Sequence, residues 1–304
     1  MFRKLFFVLF IILIYTSGNG QQLPQTVNFM FNQLVYNPAA AGMHETEFNA
    51  NLITRFQYGG KSLGGALTNM LWSDYRFSGN KMAIGGNLNY DKFGATSTFD
   101  FMGNYAYYVP LSNKLKLSMG LRAGVSSARL NTKNLNAWDL DDPVIGMNDF
   151  STTMPKVGAG LQLQSRNFYA GVSVPDFINS DKNNFYGNKD RSFFDKRRNY
   201  ILMSGYRLKI NDTYGLYPNL RMIYYTGSKL RADFNTIVEI TDYFWAGVTV
   251  STSNNHAIMA GTHISSRIRF AYAYEFNAKS GASVPLSTHE INLMLNLDDL
   301  FKKK

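Results

Sequence analysis

From Phe48 onward the chain alternates apolar and polar residues in short segments separated by turn residues, the period-two signature of β-strands. The segment Lys114 to Ser126 is the clearest case. Leu115, Leu117, Met119, Leu121, Ala123 and Val125 line one face, and Lys114, Lys116, Ser118, Gly120, Arg122, Gly124 and Ser126 the other. A helix would scatter both sets around its circumference. Lys156–Gln164, Arg267–Phe276 and Glu290–Leu297 repeat the pattern. About fourteen strands are predicted, near 48–57, 66–76, 81–90, 98–109, 114–127, 153–164, 167–174, 198–209, 214–225, 231–240, 243–252, 255–264, 266–276 and 287–297. Most have the roughly 9–11 residues that a tilted strand needs to cross a bilayer.

The make-up of the polar face separates two β-architectures. A soluble sandwich would show bulk water abundant Lys and Glu, whereas here that face is mostly Gly, Ser, Asn and Gln with isolated charges. Such a face suits the interior of a barrel whose apolar face meets lipid. Connection lengths give a second test. If the first strand rises from the periplasm, every second connection is short (77–80, 110–113, 165–166, 210–213, 241–242 and a bare junction near 265). All the long ones, 58–65, 91–97, 128–152, 175–197 and 277–286, fall in the other set, together with two short ones at 226–229 and 253–254. That asymmetry is the barrel pattern of short periplasmic turns and long extracellular loops. The fold class predicted is all-β, a transmembrane antiparallel up-and-down β-barrel of about 14 strands, with both ends of the mature chain on the periplasmic side. Aromatics near strand ends, Tyr105, Tyr107 and Tyr108, Tyr224 and Tyr225, and Tyr243, Phe244 and Trp245, are read as interfacial girdles.

Composition agrees. Aromatics make up 15% of residues and charged residues only 17%, against about 25% charged in soluble domains. The mean hydropathy of −0.21 excludes a bundle of membrane helices. Only the first residues break the pattern. Arg3 and Lys4 precede an apolar run, Leu5 to Tyr15, followed by small and polar residues up to Gly20. This is the layout of a secretory signal peptide cleaved just before Gln21 or a few residues earlier. The run is too short for a helix to span about 30 Å of hydrocarbon. Three segments are therefore expected: a signal peptide (1–20), an N-terminal plug-like segment (21–47) and the barrel (48–304). The stretch 21–43 lacks strand alternation and is expected to lodge in the barrel mouth or lumen.

Little in the sequence points to chemistry. With no cysteine there are no disulfides and no thiolate sites. The formal charge of +10 falls to +8 once Arg3 and Lys4 are removed, and it is scattered, so nucleic acid is not an expected partner. His256 and His263 fall on opposite faces of one strand and cannot share a metal; Ser287 and His289 share a face but lack an orienting third group. Asp139, Asp141, Asp142 and Asp149 lack the glycine placement of a calcium loop and read as a solvated loop. No catalytic, cofactor or metal site is predicted. The lumen-side charges Arg55, Asp74, Asp100, Arg122, Arg221, Glu239, Arg267, Arg269 and Glu275 either line a pore or pair across the lumen and fill it, the second being favoured because unpaired buried charge is costly.

Several short motifs, in order along the mature chain, resemble one family. Pro24 and Gln25, Met30, Phe31 and Asn32, then Asn37, Pro38, Ala39 and Gly42 are followed by Arg55, Gln57, Tyr58 and Gly59. Later come Tyr105-Ala106-Tyr107 with Leu111 and Ser112, the stretch Phe168 to Asp176, and the pair His289 and Glu290. Together they resemble the PorP/SprF outer-membrane proteins of Bacteroidota, linked to type IX secretion; Tyr58 stands where Trp is common. The resemblance implies a non-enzymatic barrel in outer-membrane lipid, working with type IX secretion components. It implies binding or anchoring of the C-terminal sorting domain of a large secreted, adhesin-like cargo, for gliding motility or surface display. Two long loops could supply the docking surface, through Trp138 in one and Phe185, Tyr186, Phe193, Phe194 and Arg197 in the other; the same aromatics could instead pack loop on loop. A passive channel or a transporter of hydrophobic small molecules is the alternative.

Overall fold

The computed structural model describes residues 25–44, 46–57, 65–77, 79, 81–131, 150–178, 198–241, 243–278 and 287–298. The strands are β1 (Phe48–Gln57), β2 (Ala66–Arg76), β3 (Met82–Phe93), β4 (Thr96–Pro110) and β5 (Lys116–Leu130). Next come β6 (Phe150–Gln164), β7 (Phe168–Val174), β8 (Asn199–Tyr206), β9 (Leu208–Lys209) and β10 (Tyr214–Tyr225). The last five are β11 (Arg231–Ile240), β12 (Phe244–Ser251), β13 (Asn255–His263), β14 (Ile268–Asn277) and β15 (Ser287–Asn296). Each strand pairs antiparallel with its neighbours in sequence, and β8 and β9 are two pieces of a single crossing that both pair with β10. Pairing of β1 with β15, from Asn49↔Asn296 to Gln57↔Thr288, closes the sheet into a barrel of fourteen crossings. Closure leaves no lipid-facing edge among these strands, which the hydrocarbon layer requires.

The barrel is inverted relative to a soluble protein. On β5, Leu121 is 63% exposed and Met119 and Val125 are also exposed, while Arg122 is 2% exposed and Ser118 and Ser126 are fully buried. Neighbouring strands do the same. Leu52, Phe56, Leu71, Phe101, Leu161 and Val172 face out, and Asn51, Arg55, Asp74, Asn87, Asn104 and Glu290 face in. Apolar side chains on the outer face lose nothing by meeting lipid, and polar ones inside find partners across a narrow lumen.

Predicted strand positions and observed ones agree to within a few residues, with two instructive differences. The loop expected at 91–97 is a two-residue turn at Gly94 and Ala95, because β3 and β4 continue their pairing to Phe93↔Thr96. The strand expected over 198–209 breaks at Arg207, whose N–H turns to the carbonyl of Asn167. Connections at one end, hereafter the turn end, run 77–81, 111–115, 165–167, 210–213, 241–243 and 264–267. The longest, 131–149 and 175–198, lie at the opposite, loop end.

Candidate functional site

The lumen is filled by the chain itself. Residues Gln25 to His44 form three short helical pieces, Phe29–Phe31, Gln33–Tyr36 and Pro38–Ala40, linked by turns. Val27, Phe29, Met30, Leu34, Val35 and Tyr36 are all 3% exposed or less. A segment without strand alternation is adaptable to this role, because short helical turns satisfy part of their own backbone and leave the rest to bond the wall.

Two charged clusters grip its first residues. Glu290, fully buried on β15, accepts from the N–H of Val27 (2.8 Å), the N–H of Asn28 (3.0 Å) and the Asn28 side-chain amide (3.0 Å). Its charge is balanced by Arg55, which sits opposite it in register and contacts Glu290 Oε2 at 3.3 Å and Glu275 Oε1 at 2.9 Å. Gln57 completes the cluster: with its amide oxygen turned toward the guanidinium, it accepts from Arg55 Nε at 2.8 Å and Nη2 at 3.0 Å. Across the lumen, Arg221 pairs with Asp233 (2.7 Å) and donates to the Thr26 carbonyl (3.1 Å). Its guanidinium also lies over the rings of Phe29 (4.5 Å) and Tyr36 (5.0 Å), a desolvated cation–π geometry.

Farther along, Asn32 receives Asn51 Nδ2 (2.5 Å) and the indole N–H of Trp72 (2.9 Å) on its side-chain oxygen. Arg122 donates to the carbonyls of Leu34 and Val35 and to Asn104. Asn37 caps the turn at Pro38–Ala40 by accepting from Ala39 N–H (3.0 Å), and donates to Leu161 O and Gln162 Oε1 on β6. The turn fits only because the wall beneath it is bare: a Cβ at Gly120 would sit 2.5 Å from Ala39 Cα, and one at Gly160 would overlap the Asn37 side chain. Gly42 ends the segment at φ +66°, a conformation that favours glycine, with its N–H on Asp74 Oδ2 at 2.7 Å.

The direction of this segment is unexpected. Gln25 bonds Tyr225 (2.8 Å), the last residue of β10 at the loop end. At the other extreme, the carbonyl of His44 accepts from Arg76, the last residue of β2 at the turn end. The first described residue therefore lies at the end opposite to that expected for the mature N-terminus. Strand parity fixes only where β1 starts, and the leading segment runs back through the lumen.

The lumen charges are largely paired. Besides the two clusters, Lys156 meets Asp100 at 3.1 Å and Arg207 meets Glu239 at 2.8 Å. Among the described residues no group of three or more His, Cys, Asp or Glu side chains converges on a possible metal position. Of the motif residues, Asn32, Asn37, Pro38 and Gly42 lie on the plug, and Arg55, Gln57 and Glu290 hold or support it. His289 does not join them. It faces outward, its Nδ1 2.7 Å from the Tyr272 hydroxyl. Trp138, Phe185, Tyr186, Phe193, Phe194 and Arg197, like Tyr58 and Gly59, lie outside the described residues.

Comparison with known proteins fixes the family. A family model described as type IX secretion system membrane protein PorP/SprF matches residues 18–295. The chain belongs to the PorP/SprF family. No curated protein sequence matches it. Among solved structures, the CymD monoaromatic hydrocarbon channel is 12% identical, with 86% of this chain and 91% of that one covered and a TM-score of 0.53. The ΔS2S3 mutant of the TodX monoaromatic hydrocarbon channel is 10% identical, with 86% and 94% covered and a TM-score of 0.52. The outer membrane protein Omp33 of Acinetobacter baumannii is 11% identical, with 83% and 98% covered and a TM-score of 0.48. The likenesses to the two channels concern the fold alone, and with the family match they mark an integral outer-membrane β-barrel.

In this PorP/SprF protein, three aromatics read as girdle residues turn out to serve the plug. Tyr108 donates its hydroxyl to the Ala41 carbonyl, Tyr225 accepts from Gln25, and Trp245 packs on Phe31 at 5.2 Å. Their sequence neighbours Tyr107, Tyr224 and Phe244 are the exposed ones. The signal was present in the period-two rule, since adjacent aromatics on a strand must face opposite sides.

Proposed function

We propose that this PorP/SprF protein is a non-enzymatic holder in the outer membrane, binding the C-terminal sorting domain of a large secreted surface protein at its loop end. The observation that carries the reading is the plug. A lumen packed with twenty residues, whose backbone and side chains bond the wall at Glu290, Arg221, Arg122 and Asp74, leaves the barrel's ends as its working surfaces. Family membership supplies the secretion context. At the loop end the connections 131–149 and 175–198 are the longest in the chain and carry Trp138, Phe185, Tyr186, Phe193, Phe194 and Arg197, residue types that anchor interfaces. With short turns toward the periplasm, those loops meet the cell exterior, where an adhesin for gliding or display would be held. The alternative, a passive channel for hydrophobic molecules, has fold likeness to hydrocarbon channels behind it, but the buried plug weighs against an open path.

Affinity purification from outer membranes with mass spectrometry of the co-eluting proteins tests the reading. A large secreted protein in near-stoichiometric amount is expected, lost when Phe185, Tyr186, Phe193 and Phe194 are changed to Ser. A barrel that elutes alone would refute it.

A further inference from the structure

The outer wall of the barrel is not evenly convex. Centred on β6 and β7 it carries an open apolar groove of about 810 Å³. Strand register sets its course. Tyr105 on β4 pairs with Leu121 on β5, Leu121 with Ala159 on β6, and Ala159 with Val174 on β7. One residue beyond the pair Ser173↔Ile201, the row continues to Tyr200 on β8, which pairs with Tyr224 on β10. A second row beside it runs from Tyr107 and Met119 to Leu202 and Met222. The lining thus spans six strands but only two outward rows, so the groove is long across the strands and narrow along them. Small side chains, Ala159, Val172 and Val174, hold its middle, and tyrosines flank its two ends.

Polar groups are kept out of it. Ser173 turns inward and donates to the Tyr36 carbonyl at 2.8 Å, and the glycines at 120 and 160 offer only backbone that the strand ladders pair. Of the described lining residues, the tyrosine hydroxyls alone add polarity on the outer face. Tyr200 and Tyr224, stacked at 6.2 Å and 30°, stand at the loop end, where tyrosines mark a membrane interface. From there the groove slants downward. Tyr224 lies ten residues from the turn end of β10 and one from its loop end, whereas Tyr105 lies five residues from the turn end of β4. Six strands about 4.8 Å apart make the groove about 24 Å long, and two rows make it about 7 Å wide. With strands tilted by roughly 40°, it drops about 15 Å, half of a hydrocarbon core roughly 30 Å thick. The volume of about 810 Å³ over that footprint leaves about 5 Å of depth, one hydrocarbon chain thick, since carbons pack at about 4 Å.

We propose that this groove binds one acyl chain of a lipid from the leaflet at the loop end. Its length, depth and lack of polar partners fit an extended tail that enters at the interface and stops near the middle of the membrane. A helix, roughly 10 Å across, is wider than the groove. Because hydrocarbon covers the outward face in any case, the selectivity comes from packing and not from transfer out of water. A tail laid in the depression recovers carbon–carbon contacts that a tail bridging over it forgoes. The site is separate from cargo binding at the loop end and does not depend on it.

The test uses the purified full mature barrel in detergent, mixed with dipalmitoyl phosphatidylethanolamine and read by native mass spectrometry as collisional activation strips the surrounding lipid. One lipid per barrel is expected to outlast the rest. Its share is expected to fall about tenfold in A159F/V174F, where two rings take the space of the tail and remove its contacts. It is expected to hold in V248F/V250F, the same change on the exposed outward face of β12. Should A159F/V174F lose the heat-modifiable migration of a folded barrel, A159L is read in the same way. No lipid outlasting the rest, or equal retention in A159F/V174F and V248F/V250F, would overturn the proposal. So would a wild-type dimer that A159F/V174F takes apart, since the groove would then belong to a second copy of the chain.

Discussion

Glu290 offers the most discriminating perturbation of the plug. Its carboxylate is fully buried, receives three N–H groups from Val27 and Asn28, and balances Arg55. Glu290→Ala strands two backbone donors inside the lumen and leaves Arg55 with Glu275 as its remaining carboxylate partner. Breaking a buried ion pair by removing one member costs roughly 3–5 kcal/mol. Because Glu275 stays at 2.9 Å from Arg55, the low end applies, about 3 kcal/mol. The cost falls on the plug more than on the strands, since the inter-strand bonds of β15 to β1 and β14 are backbone bonds and remain. At about 1.4 kcal/mol per factor of ten, amide hydrogen exchange in residues 25–36 should quicken about a hundredfold, while the strands keep their protection and the barrel keeps its heat-modifiable migration. Glu275→Ala, which leaves the plug's own acceptor in place, should move the same amides much less. Unchanged exchange in Glu290→Ala, or equal effects from the two variants, would refute the idea that this carboxylate fastens the plug.

Three more expectations follow from the same geometry. Gly120→Val puts a side chain where the Ala39 backbone lies, so it should expel the Pro38–Ala40 turn and expose residues 25–44 to limited proteolysis; a protease-resistant segment would contradict the packing. Leu121→Arg, on the outer face near the middle of β5, should cost about 2–4 kcal/mol of folding stability in lipid vesicles if that face meets hydrocarbon; a urea titration that does not shift would count against it. An epitope placed directly before Gln25, which bonds Tyr225 at the loop end, should stain on intact cells beside an epitope in the 175–197 loop; staining only after permeabilisation would reverse the direction given to the plug.

The barrel was legible because its signal is repetitive. Leu115 to Val125 against Lys114 to Ser126 marks a strand and its two faces, and loop parity marks the ends. What lay beyond reading was whatever depends on register and direction. Glu290 and His289 are adjacent and equally polar in sequence, yet one fastens the plug and the other faces outward beside Tyr272. That Arg55 meets Glu290 and Glu275 follows from β1 closing on β15, a long-range pairing with no local trace. The segment 25–44 could be recognised as something other than strand, but no periodicity tells which end of a lumen a helical thread starts from. The glycines at 120 and 160 looked like ordinary polar-face residues; their use appears only when the Asn37–Ala39 turn lies against them.

The account rests on a lumen closed by the chain's own N-terminal segment, and ion conductance of the purified mature barrel in a planar bilayer tests this most directly. The wild-type protein is predicted to insert without a steady conductance, and Gly120→Val to open one. A steady, porin-like current through the wild-type barrel would contradict the account.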